Sequence, residues 1–239
     1  MSSLDSLKIK LFCDAADFRG MLNMAENPVI KGFTTNPSLM RKAGVTSYEV
    51  FAREVLAAIP DRPISLEVFA DDFDEMEQQA RKIASWGPND NVKIPITNTK
   101  REFTGPLINR LSASGIVVNV TAMMTVDQVC RVADALDPGT PAIISVFAGR
   151  IADTGIDPVP LMADAVEVLR PLPKAELLWA SPRELLNVFQ ADAIGCHIIT
   201  ATPEVLSKLK LLGKDLDEYS LDTVMQFYHD AKSAGYHIR

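Results

Sequence analysis

The chain is poor in the residues that would tie it to metals, disulfides or membranes. It has three cysteines in 239 residues, Cys13, Cys130 and Cys196, far apart, odd in number and set in apolar runs. That pattern excludes a disulfide framework and is expected of buried thiols in a reducing compartment. Its three histidines are no better placed: His197 adjoins Cys196, while His229 and His237 sit in the tail, so no metal-ligand spacing emerges. No run of 18 apolar residues occurs, and Met1-Ser2-Ser3-Leu4-Asp5-Ser6 lacks a basic stretch leading into an apolar one. A cytoplasmic protein without membrane attachment is therefore expected. Positive charge is also short, with 24 Lys and Arg against 31 Asp and Glu, net −7, and the basic residues are scattered rather than striped. This argues against nucleic acid as a partner. An anionic small substrate would need a few Arg or Lys converging against the overall field.

What is present is an ordinary globular composition, 47% hydrophobic and 23% charged, in a chain long enough for one large domain. Strand and helix patterns alternate along it. Strands are expected at Leu7–Cys13, Lys31 onward, Pro63–Phe69, Asn91–Ile96, Ile116–Thr121, Ala142–Phe147, Ala175–Trp179 and Gly195–Thr200. Between them, helical patterns run to about Glu26, from Thr46-Ser47-Tyr48-Glu49, from Phe73 to Trp86 behind an Asp71-Asp72 cap, from Thr99 to Ala113 and from Thr125 to Leu136. A polar loop over Gly149 to Pro160 precedes a helix reaching Arg170; further helices are expected from Arg183 to Gln190 and from Pro203. Eight strand-helix units without a hairpin signal require parallel pairing through crossovers. With no linker-like break, they point to one α/β domain over 1–239, a (β/α)8 TIM barrel, with residues 214–239 as a helical extension that packs on the barrel's own face or a neighbour's. The competing doubly wound sheet lacks support, because no strand ends in a Gly-rich phosphate loop.

One strand does not fit its surroundings. Asn91-Val92-Lys93-Ile94-Pro95-Ile96 holds a lysine inside an apolar run. At a strand end such a lysine snorkels to water; buried without a partner, it favours the neutral amine, a nucleophile for carbonyls. Barrel active sites form at the carboxyl ends of strands, where the polar residues here are Asp14, Asn36, Glu67, Lys93, Asn119 with Thr121, Ser145, Ser181 with Arg183, and Thr200. Glu67, Lys93, Asn119 and Ser145 are each 26 residues apart, one strand-helix unit per step, which should set them at equal heights around one pocket. Asp14 and Asn36 have an equally good reading as helix-cap or turn residues. An amine among carboxylates suits carbonyl chemistry through a Schiff base. Arg150, Ser181 and Arg183, after the sixth and seventh strands, would make a fork for a phosphate or sulfonate.

The segments Thr34-Thr35-Asn36-Pro37-Ser38, Val92-Lys93-Ile94-Pro95, Asn119-Val120-Thr121, Ser145-Val146-Phe147-Ala148-Gly149-Arg150-Ile151 and Ala180-Ser181-Pro182-Arg183 resemble, in order, the signatures of the transaldolase family. The resemblance implies a cytoplasmic class I enzyme of carbohydrate metabolism, without cofactor or metal, that moves a dihydroxyacetone unit from a ketose phosphate to an aldose phosphate. Lys93 then matches the Schiff-base lysine, Asp14 the acid/base for bond cleavage, and Glu67 with Thr121 the pair that moves protons during imine formation. Asn36, Asn119 and Ser145 would hold the dihydroxyacetone hydroxyls, Arg150, Ser181 and Arg183 the phosphate, and Phe147 an apolar wall. The length resembles the small-subunit branch, which forms pentamers and decamers and includes fructose 6-phosphate aldolases. Those carry glutamine and tyrosine at the positions of Glu67 and Phe147, so this chain resembles the transferases. It departs from the usual pattern at Ala122-Met123-Met124 and Pro182, which leaves a sulfonated or otherwise modified sugar open as substrate, alongside aldolase cleavage and a binding role without turnover.

Overall fold

In the computed structural model, residues 4–238 are described, the side chain of Asp5 apart. Residues 1–3, read above as lacking a leader, and residue 239 lie outside them. The strands are β1 Lys10–Asp14, β2 Ile30–Thr34, β3 Ile64–Glu67, β4 Asp90–Pro95, β5 Val118–Met123, β6 Ala142–Val146, β7 Ala175–Trp179 and β8 Ile198–Ala201. They pair in parallel in chain order and close on themselves, β8 against β1. The helices are α1 Phe18–Ala25, α2 Pro37–Lys42, α3 Tyr48–Ala58, α4 Phe73–Ile83, α5 Gly105–Ala113, α6 Val126–Ala135, α7 Ala148–Asp153, α8 Pro158–Leu169, α9 Leu186–Ala193, α10 Pro203–Ser207 and α11 Leu216–Ser233. The (β/α)8 barrel expected from the alternation is thus the fold. Among the described residues no helix is long and apolar enough to cross a membrane.

Local chemistry explains the helix starts. Asp17, Asn36, Asp72, Asp157 and Thr202 each accept a backbone N–H of the first turn, and Thr125 with Gln128 forms a reciprocal capping box. Two expectations need correction. The helix expected from Thr99 begins only at Gly105, because tertiary bonds claim the preceding residues. Asp71 takes both the backbone N–H and the hydroxyl of Thr99, and the Asn98 side-chain carbonyl accepts from Lys100 and Glu102. Arg101 is left at φ 66, outside any right-handed helix. Conversely, the first part of the loop expected over 149–160 is helical, as α7.

Side-chain alternation divides the barrel interior. Phe12, Ile143, Leu178 and Ile198 each stand two residues before an inward-facing strand-end position, Asp14, Ser145, Ala180 and Thr200, and so share its face. With Ala180 they form one buried apolar cluster that Phe147 caps. By the same rule Ser65, Asn91 and Asn119 precede Glu67, Lys93 and Thr121, so β3 to β5 supply a polar side. A larger core fills the space between the strands and the helices. The extension does not pack on the barrel of its own chain. Helix α11 buries no residue, and Leu216, Leu221, Val224, Phe227 and Tyr228 are all more than half exposed.

Candidate active site

The carboxyl ends of the strands enclose a cavity of about 330 Å³. Lys93 lies at its floor, 6% exposed, so its stem is held in an apolar strand while its ammonium meets polar groups. It donates to the backbone carbonyl of Thr35 at 2.8 Å and to Glu67 Oε2 at 3.2 Å. Of the surroundings open to a lysine in such a strand, snorkelling to water or burial beside other polar groups, the structure shows the second. Pairing of the two side chains follows from register, since Glu67 and Lys93 are partners across β3 and β4.

Asp14 closes another side. Its carboxylate accepts from Thr34 Oγ1 at 2.7 Å and from Asn36 Nδ2 at 3.4 Å, and Thr34 in turn meets Thr200 Oγ1 at 2.6 Å. Burial pushes the Asp14 carboxyl above the usual range, with Glu67 adding to the rise; the hydrogen bonds and Lys93 oppose it. A carboxyl so placed exchanges its proton nearer neutral pH than an exposed one. Asn36 is the helix cap, its carbonyl accepting from Leu39 N, and its amide turns to Asp14 in the cavity that both residues line.

The spacing of 26 proves correct for three members. Lys93 is also the register partner of Asn119, but Asn119 pairs with Ile143, so Ser145 stands two residues further along β6. A register shift between Val120 and Met123 accompanies this offset. The Ser145 hydroxyl nevertheless donates to Asn119 Oδ1 at 2.7 Å, and Asn119 Nδ2 donates to Ser65 Oγ at 2.9 Å. Asn119 is fully buried and does not line the cavity; it holds Ser145, which does. Thr121 lines it too, its hydroxyl buried without a partner among the described residues.

At the mouth, Phe147 forms a wall and the Arg150 guanidinium lies over its ring, 5.1 Å from the centroid. Ser181 reaches the cavity with φ 57, a left-handed conformation uncommon for serine. Gly149 makes this approach feasible, because a Cβ there would stand 1.5 Å from the Ser181 carbonyl oxygen. Arg183 is the second expected site residue, after Asn119, to stand outside the cavity lining. Its guanidinium is engaged by Asp153 on α7, with Nε 3.0 Å from Oδ1. Thr34 and Ser65 were missed as site residues, although Thr34 is the register partner of Asp14 and Ser65 shares the inward face of Glu67. A test of strand alternation would have found both.

Residues 11–238 match the model of the family described as transaldolase/fructose-6-phosphate aldolase. The chain belongs to the transaldolase/fructose-6-phosphate aldolase family. Among its relatives, a probable transaldolase of Hyphomonas neptunium is 34% identical over 231 residues, 96% of this chain and all of the relative. One from Dehalococcoides mccartyi is 33% identical over 202 residues, 84% of this chain and 90% of the relative. In structure, the chain is similar to a Burkholderia cenocepacia J2315 crystal structure described as a lyase/mutase, with a TM-score of 0.60 over 98% of this chain and 87% of the other. At 12% identity that likeness carries the barrel fold alone.

Proposed function

We propose that this family member transfers a dihydroxyacetone unit from a ketose phosphate, such as fructose 6-phosphate or sedoheptulose 7-phosphate, to an aldose phosphate. The observation that carries the reading is the buried Lys93 ammonium bonded to Glu67 in the cavity that Asp14 also lines. Glu67 accepts a proton from Lys93, whose freed amine attacks the ketose carbonyl. Protons delivered by way of Glu67 and Thr121 let the carbinolamine lose water and become a protonated imine. Asp14 then takes the proton of the hydroxyl on the carbon next to the bond to be cleaved. As that carbon becomes an aldehyde, the bonding electrons pass to the imine, leaving a lysine-bound enamine. Attack of the enamine on an acceptor aldehyde, with Asp14 returning the proton, forms the new bond, and hydrolysis releases the product. Ser145, Asn36, Arg150 and Ser181 line the cavity; the first two would hold the hydroxyls of the three-carbon unit and the last two the phosphate.

Glu67 and Phe147 support transfer over fructose 6-phosphate aldolase cleavage, by the resemblance set out above. A second reading rests on Arg183: with Asp153 engaging it, one guanidinium serves the cavity, which suits a sulfonate monoanion as well as a phosphate. Borohydride reduction over ketose phosphates and ketose sulfonates tests both. A three-carbon adduct on Lys93 is expected, with little free dihydroxyacetone released and turnover only when an aldehyde acceptor is present to take up the unit. An unmodified Lys93 peptide would refute the imine, and rapid release without acceptor would establish the aldolase instead. The exposed apolar face of α11 further supports a homo-oligomer in which this helix packs on a neighbouring copy. Phe227→Glu should then lower the sedimenting mass.

A further inference from the structure

The opposite, amino-terminal mouth of the barrel holds a second cavity, of about 460 Å³. Its charge is unlike that of the chain. Lys10, Lys31 and Lys174 line it with a single acid, Glu176, so the cavity carries net +2 in a protein of net −7. Glu176 is already paired with Lys10 at 2.8 Å. The other two ammoniums donate to backbone carbonyls, Lys31 to Pro28 and Lys174 to Gly139, and neither forms an ion pair among the described residues. Their charge is therefore uncompensated.

The floor adds an independent observation. Asn91 lines the cavity at 7% exposure, two residues before Lys93 on the inward face of β4, and its side chain has no hydrogen-bond partner among the described residues. An amide this buried, without a protein partner and facing the cavity, offers a ligand both donors and an acceptor. Beside it, Phe12, Val117 and Ile143 provide an apolar wall. Two ammoniums without a carboxylate partner at the rim, an unpaired amide below and an apolar wall between them describe a receptor for a dianion with an apolar body.

We infer that this lower mouth is a second ligand site, for a small phosphate monoester whose organic group presents an apolar or aromatic face. The phosphate meets Lys31 and Lys174 at the rim, matching the net +2, and the body lies against Phe12 with a polar atom on the Asn91 amide. The site is separate from the Lys93 cavity, since no lining residue is shared.

Calorimetric titration with phenyl phosphate tests this in Arg150→Ala protein, where the upper anion position is disabled. One equivalent should bind, and inorganic phosphate, lacking the apolar body, at least tenfold more weakly. Adding Lys31→Glu and Lys174→Glu should lower phenyl phosphate affinity at least tenfold while leaving circular dichroism unchanged. Asn91→Leu should weaken it separately with rim charge intact. Placed in the otherwise native chain, the two lysine substitutions should leave dihydroxyacetone transfer unaltered. Absence of saturable binding by the Arg150→Ala protein, or binding indifferent to the charge reversals, would overturn the inference. Equal affinity for inorganic and phenyl phosphate would overturn the assignment of an apolar body.

Discussion

Asp90 opens β4 three residues before Lys93, on the opposite face of the strand, and replacing it by asparagine should make the protein more stable as pH rises. The side chain is 8% exposed, and neither carboxylate oxygen has a hydrogen-bond partner among the described residues. Burial pushes its pKa up to about 8; the Asn91 backbone N–H opposes this without reaching hydrogen-bond geometry. In the unfolded chain the same group ionises near 3.9. Between those values the native state holds a proton that the unfolded state has released, so stability falls as pH rises through the window and levels off above about pH 8. Each unit of difference is worth roughly 1.4 kcal/mol, so the burden at pH 7 is about 4 kcal/mol, an upper figure because buried sites relax.

Asparagine does not titrate, and Asp90→Asn should abolish this slope. Urea unfolding of both proteins at one fixed concentration, from pH 5 to 9, reads the difference, the fixed concentration being required if subunits associate. The stability difference should move in favour of asparagine by roughly 1 kcal/mol per pH unit up to about pH 8 and then stay constant. A constant offset, from unmet amide hydrogen bonds, does not affect the test, which lies in the slope. Parallel profiles over the whole range would mean that Asp90 is ionised and solvated in the native state, and the reasoning would fail.

The other predictions concern the Lys93 cavity. Gly149→Ala places a methyl where only the Ser181 carbonyl oxygen fits, so the β7 end must retreat; a loss of about 2–4 kcal/mol in thermal unfolding and a raised KM are expected, and a fully active, equally stable variant would contradict the contact. Ser65→Ala removes the acceptor of the buried Asn119 amide, which should cost about 1–3 kcal/mol in urea unfolding and lower kcat by loosening Ser145; no change in either would show that the amide has another partner. Arg150→Ala should raise KM for a phosphorylated donor roughly 10- to 100-fold, the value of a charge-assisted hydrogen bond, whereas Arg183→Ala should change it only a few-fold. Equal effects would show that Arg183 leaves Asp153 to reach the substrate.

Much of this architecture was legible because the barrel repeats a simple rule. Buried parallel strands read as apolar runs, so an ionisable residue inside one is conspicuous, and both Glu67 and Lys93 were found in this way. Hydroxyls were harder to see: Ser and Thr are unremarkable in strands, and Ser65 or Thr34 gains meaning only from a partner on another strand. The Asp153 partner of Arg183 was hidden for a different reason. A strand end fixes where the backbone emerges, not the direction of a long side chain, and its partner Asp153 sits on α7, in a segment expected to be loop. The helix expected over 99–104 failed for a similar reason, since Asp71 reaches it from 28 residues away.

Strand β4 shows how far a polar residue in an apolar run can be interpreted. Asp90, Asn91 and Lys93 all stand at burial a polar group tolerates only with a partner. The sequence shows the same anomaly at each, yet alternation sends them to different surroundings. Lys93 faces the upper cavity and finds Glu67, Asn91 faces the lower cavity with its amide unpaired, and Asp90 turns outward, where burial favours its neutral form. The polar residue marks a cost in free energy. What offsets that cost, whether a charge partner, a ligand or a bound proton, depends on the residues facing it from other strands and helices, and that arrangement separates a catalytic lysine from a titrating carboxyl three residues away.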